Sequence, residues 1–129
     1  MPRILLIDDD DTLRGLIAMS LVSEGHEVVE AANGREGVAL ARAQSFEVVI
    51  TDLIMPDQEG IETIGILRKE QPGVPVIAIS GGLPNSQFYL QIAQKIGAQR
   101  VLGKPFALLE LQNAIREVLA GQPPPSAPA

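Results

Sequence analysis

Ile4-Leu5-Leu6-Ile7 is an unbroken apolar run that stops on four consecutive carboxylates, Asp8-Asp9-Asp10-Asp11. A short run without alternation reads as a strand buried on both faces, and such strands belong to parallel sheets covered by helices on each side. The same unit recurs along the chain. Strands are expected at Glu27 to Ala31, Phe46 to Thr51, Val76 to Ile79 and Arg100 to Gly103. Between them lie stretches of helical spacing: Thr12 to Glu24 with Leu13, Leu16, Ile17 and Leu21, and Arg35 to Gln44 with Val38, Ala41 and either Leu40 or Ala39. Ile61 to Glu70 follows with Ile61, Ile64 and Leu67, then a helix from Pro84 or Asn85 carrying Phe88, Ile92, Ala93 and Ile96. The last runs to about Ala120 with Leu108, Leu111, Ile115, Val118 and Leu119 inward. Gly25, Gly97 and Gly121 are the expected stops, and Asn33 with Glu36 has capping-box spacing. Five strands alternating with five helices predict a doubly wound α/β sandwich around a five-stranded parallel sheet. Residues 1–121 form that domain; 122–129, rich in proline, read as a tail or linker stump.

Composition narrows the function. The chain of 129 residues has no cysteine and one histidine, His26, so thiolate chemistry and multi-histidine metal centres are excluded. His26 reads as a surface turn residue. A net charge of −6 argues against direct binding to nucleic acid, which needs a positive face. No apolar run approaches the length of a membrane span, and no signal peptide is recognisable, so a cytoplasmic location is expected.

In such a fold chemistry sits at the carboxyl ends of the strands, near the point where strand order reverses. The first strand delivers Asp8 and Asp9 there, the third Asp52, the fourth Ser80 and the fifth Lys104. The second delivers only Ala31 and Ala32. Carboxylates so close together repel unless a hard divalent cation sits among them, and oxygen ligands favour Mg²⁺. An aspartate in such a site can attack phosphorus to form an aspartyl phosphate, while a lysine and a hydroxyl stabilise the phosphoryl oxygens.

From Arg3 to about Ala120 the sequence resembles the receiver domain of two-component response regulators. The resemblance rests on Ile4-Leu5-Leu6-Ile7-Asp8-Asp9-Asp10, Val48-Val49-Ile50-Thr51-Asp52-Leu53-Ile54-Met55-Pro56-Asp57, Gly60, Ile77-Ala78-Ile79-Ser80-Gly81 and Lys104-Pro105-Phe106. It implies a flavodoxin-like sandwich and phosphorelay signalling, with Asp52 as phosphoacceptor. Asp9, Asp52 and the carbonyl of Ile54 would bind Mg²⁺ directly, and Asp8 through water. Lys104 would meet the phosphoryl group, Ser80 would be the switch hydroxyl, and the Lys104-Pro105 peptide would be cis. The implied donor is a histidine kinase or histidine phosphotransfer domain, docking near Arg14 to Ala18 and Pro105-Phe106. The downstream target is a protein bound through the fourth helix, fifth strand and last helix, with pairing of two copies left open. The chain would catalyse its own phosphorylation and slow dephosphorylation but act mainly as a switch.

Three residues depart from the family pattern. Val101 stands where an aromatic ring usually swings inward. Ile54 and Gly82, which flank the attacking water in relatives, offer no side-chain hydrogen bond, so slow hydrolysis is expected. The stretch from Ser80 to Lys104 is slightly long, which suggests a mobile loop at Gly81-Gly82-Leu83-Pro84. Two rival readings stand beside this one. A phosphatase of the haloacid dehalogenase type would use Asp8 as nucleophile and Asp10 as acid/base. A degenerate receiver would only bind partners.

Overall fold

The computed structural model describes residues 2–53, 59–81, 86–104 and 106–121. Along the chain run β1 (Arg3–Ile7), α1 (Asp11–Ser23), β2 (Glu27–Ala31), α2 (Gly34–Ala43), β3 (Val48–Asp52), α3 (Glu59–Glu70), β4 (Val76–Gly81), α4 (Ser86–Ile96), β5 (Arg100–Lys104) and α5 (Leu108–Leu119). Ile54, Gly82 to Asn85, Pro105 and the tail lie outside the described residues, and with them the expected carbonyl ligand, the loop after the fourth strand and the cis peptide. Every strand pair is parallel and the order is β2-β1-β3-β4-β5. This is the doubly wound parallel sheet that the strand–helix alternation predicted, in the flavodoxin-like form that the resemblance implied.

Alternation along β1 explains the layering. Leu5 and Ile7 join a core with Ala41, Ile64, Leu67 and Ala93 from α2, α3 and α4. Ile4 and Leu6 face Ile17 and Leu21 of α1 and Leu111, Ile115 and Val118 of α5. These four residues of β1 are at 0% exposure, which is what a strand covered on both sides requires. β1 pairs with β2 on one side and β3 on the other, with Ile7 between Ala31 and Thr51. Strand order reverses there, so the crevice opens above the ends of β1 and β3.

Local signals place the helices. Asp10 caps α1, its carboxylate accepting from the Leu13 amide at 3.0 Å. Asn33 Oδ1 accepts from the Glu36 amide at 2.8 Å, but Glu36 reaches back to the Ala32 amide, one residue earlier than a capping box demands. Gly97 ends α4 at φ +120°, backed by the Arg68 side chain of α3. Four apolar residues expected inward are exposed: Leu16, Phe88, Leu108 and Leu119. At 100° per residue Leu16 points away from the arc Ile17–Leu21, and Phe88 lies roughly 140° from Ala93. Leu108 and Leu119 sit at the margin of the α5 arc. Small residues, Ala18, Ala93 and Ala114, hold the buried positions instead and let the helices approach the sheet closely. His26 is half-buried rather than a surface residue, with its Nδ1 lacking a hydrogen-bond partner among the described residues. Among the described residues no helix is long and apolar enough to cross a membrane.

Candidate functional site

The strand ends bring the acidic residues together because parallel strands in register finish at one edge. Asp8 follows β1 at 0% exposure, and Asp52 closes β3 at 4%. Oxygens of Asp8, Asp9 and Asp52 lie within 4.8 Å of one another. Lys104, the last residue of β5, crosses over them: its Nζ is 3.1 Å from Asp52 Oδ2 and 3.6 Å from Asp8 Oδ2. The first is a charge-assisted hydrogen bond; the second is a charge contact only. Burial alone would push the Lys104 ammonium down, but Asp52 and Asp8 more than offset this and hold it above its ordinary value.

Asp8 is fixed on three sides. Its amide donates to Ala31 O at 3.1 Å, its Oδ1 accepts from the Asp10 amide at 2.9 Å, and its carbonyl accepts from Arg14 Nη1 at 2.7 Å. Its Oδ2 is buried and has no hydrogen-bond donor among the described residues. Three carboxylates facing one ammonium leave a formal excess of two negative charges. An all-oxygen donor set, an orphaned buried carboxylate oxygen and a formal charge of −2 fit a hard divalent cation.

Ser80 is buried on β4, opposite Gly103 of β5, and its Oγ also has no partner among the described residues. The next peptide of the acceptor segment is tied down by Leu53 N to Ile79 O at 2.9 Å, and Thr51 Oγ1 donates to Asp52 O at 3.1 Å. Gly60 of α3 packs directly on the Asp52–Leu53 backbone. Of the expected residues, Asp8, Asp9, Asp52 and Lys104 are brought together, Ser80 lies on the neighbouring strand end, and Ile54 is outside the described residues. The contact of Arg14 on the Asp8 carbonyl had no local sequence signal, whereas Gly60, one of the residues that carry the resemblance, has its reason in its close seat on the acceptor segment.

Asp10, the acid/base of the phosphatase reading, is exposed and occupied as a helix cap. Lys104 also sits closer to Asp52 than to Asp8, whereas that reading makes Asp8 the nucleophile.

Comparison with known proteins agrees. The family model described as response regulator receiver domain matches residues 4–116. The protein PilH of Pseudomonas aeruginosa is 35% identical over 123 residues, covering 94% of this chain and 100% of PilH. The transcriptional regulatory protein GlrR of Escherichia coli is 34% identical over 124 residues, covering 95% of this chain. The chain spans 27% of GlrR and about half of several other curated transcriptional regulators, for example 52% of AfsQ1 of Streptomyces coelicolor. Among solved structures, a CheY-like receiver domain of Methanospirillum hungatei superimposes with a TM-score of 0.87 at 31% identity, covering 95% of this chain and 96% of that one. TrrA of Thermotoga maritima, solved in complex with Mg²⁺-BeF, gives 0.81 at 28% identity, covering 92% and 99%. With a match over residues 4–116 and a lysine-bridged acidic crevice at the sheet's switch point, the chain belongs to the response regulator receiver domains of two-component phosphorelay signalling.

Proposed function

We propose that Asp52 accepts a phosphoryl group from a phosphohistidine and that the resulting charge switches protein–protein contacts. The observation that carries this reading is the Lys104 ammonium at 3.1 Å from the buried Asp52 carboxylate, beside the Asp8 and Asp9 oxygens. An Asp52 oxygen attacks phosphorus, the P–N bond breaks, and the imidazole leaves with the bonding pair and takes up a proton. Asp9, Asp52 and the Ile54 carbonyl would hold Mg²⁺, with Asp8 acting through an intervening water. The cation would offset charge on the phosphoryl oxygens as it is transferred. Lys104 then exchanges part of its hold on Asp52 for a phosphoryl oxygen, and the Ser80 hydroxyl, which has no partner among the described residues, donates to another. Intact mass after incubation with acetyl phosphate and Mg²⁺ tests the reading; one phosphoryl group per chain is expected.

The donor, a histidine kinase or histidine phosphotransfer domain, would dock on α1. Its outer face exposes Leu16 at 57%, Met19 at 72% and Val22 at 57%, beside a groove of about 780 Å³ that also involves Thr12, Gly15 and Glu30. An unpaired apolar stripe at helical spacing suits a partner helix. The output would leave through α4, β5 and α5, where Phe88 is exposed, to a downstream protein or a second copy. Val101 is half-buried against the α2–α4 core and has no ring to rotate, so the movement of Ser80 must be transmitted by backbone and packing.

Two outcomes follow from the same chemistry. Because neither Ile54 nor Gly82 has a side chain able to orient water, the aspartyl phosphate should decay with a half-life of minutes or longer in a phosphate-release assay; decay within seconds would refute this. Lys104→Met should remove the counter-ion of two buried carboxylates. Breaking a buried pair typically costs about 3–5 kcal/mol. With Lys104 23% exposed, a loss of about 2 kcal/mol is expected in EDTA. Mg²⁺ should recover more stability in this variant than in wild type, and an equal Mg²⁺-induced shift in Tm for both would contradict the shared-charge account.

A further inference from the structure

Arg14 lies one turn into α1, and helical side chains lean toward the N-terminus, so its guanidinium reaches back over the loop that carries the acids. The side chain is only 15% exposed. Its fork has three anchors on three different segments: Nη1 donates to the Asp8 carbonyl at 2.7 Å, Nη2 meets Asp11 Oδ1 at 2.7 Å, and Nε meets Glu30 Oε1 at 3.1 Å. Glu30 belongs to β2, so the strap ties the loop after β1 to the edge of the sheet.

The carbonyl it grips is that of the Asp8–Asp9 peptide. Asp9 is exposed and makes no hydrogen bond or ion pair of its own among the described residues. Where its carboxylate stands is therefore decided by its backbone, and the orientation of that peptide is held from the Arg14 side. We infer that Arg14 is a positioning residue for the cation site, holding the Asp8–Asp9 peptide so that Asp9 faces Asp52. The inference rests on the reading of this crevice as a Mg²⁺ site.

Positioning and simple electrostatics differ in sign. Arg14 is a cation near an acidic cluster, so charge alone makes its removal favour Mg²⁺. Loss of positioning makes removal weaken Mg²⁺.

The test is a Mg²⁺ titration of the unphosphorylated protein by ¹H–¹⁵N NMR, following the amides of Asp9, Asp10 and Asp52, with thermal unfolding in EDTA as a check on folding. Changing a partner that orients a metal ligand costs about 10–100-fold in affinity, and Arg14 acts one bond further away through backbone, so Arg14→Gln should weaken Mg²⁺ by about tenfold. Arg14→Lys keeps a donor for one anchor but not the fork and should weaken it less. Arg42→Gln removes a distant cation that pairs with Glu70 and should leave the affinity at the wild-type value. Affinity of Arg14→Gln equal to or tighter than wild type overturns the inference. If that variant does not fold, unchanged affinity in Arg14→Lys overturns it. Failure of the wild type to respond at Asp9 and Asp52 would instead overturn the Mg²⁺ reading itself.

Discussion

Asp52→Asn is expected to abolish phosphorylation completely: with acetyl phosphate and Mg²⁺, wild type gains one acid-stable, base-labile phosphoryl group and the variant gains none. The substitution is nearly isosteric, so packing around a side chain at 4% exposure should be kept. What disappears is the nucleophile and half of the charge that holds Lys104, whose Nζ lies 3.1 Å from Asp52 Oδ2. An amide cannot form the acyl phosphate, and loss of the Asp52 charge leaves Asp8, at 3.6 Å, as the charged partner of Lys104. A label that persisted in Asp52→Asn and vanished in Asp8→Asn would reverse the roles of the two aspartates and revive the phosphatase reading. No label on wild type, from acetyl phosphate or from a phosphohistidine donor, would leave a receiver that acts by binding alone.

Much of this site was legible because its residues arrive by strand periodicity. Once Ile4 to Ile7 and Phe46 to Thr51 are read as parallel strands, Asp8 and Asp52 must finish at the same edge, and Lys104 follows from the fifth strand in the same way. Asn33 and Gly97 were readable because capping and left-handed backbone are local chemistry. The expected burial of Leu16 and Phe88 failed for a different reason. Apolar spacing marks a stripe wider than the arc a sheet can cover, and only packing decides which margin is left outside. In α1 that margin is the face proposed for the partner. Arg14 was out of reach for local rules altogether, since one of its anchors is a backbone carbonyl and another lies sixteen residues downstream.

Gly60→Ala should be among the most destabilising single-methyl changes in the chain. An added Cβ would stand 2.5 Å from Leu53 Cα and 2.7 Å from Leu53 O, and closer still to Asp52 O. These are backbone atoms of the acceptor segment, which is pinned to β4 by the Leu53 amide on Ile79 O. They cannot turn aside, so α3 must lift or the strand end must move. Overpacking usually costs about 1–3 kcal/mol, and here a loss of about 3 kcal/mol or more is expected in urea unfolding. Two comparisons isolate the cause. Gly37→Ala meets side-chain rather than backbone atoms, Cδ1 and Cγ1 of the buried Ile7, which can shift without moving a strand, so a smaller loss is expected. Gly65→Ala, in the same helix as Gly60 but with nothing within 4 Å, should gain up to about 1 kcal/mol from helix propensity. If Gly60→Ala instead unfolds within about 1 kcal/mol of wild type, α3 slides freely over the acceptor strand. The position of Asp52 would then rest on strand pairing within the sheet and on Lys104 rather than on the seat of α3.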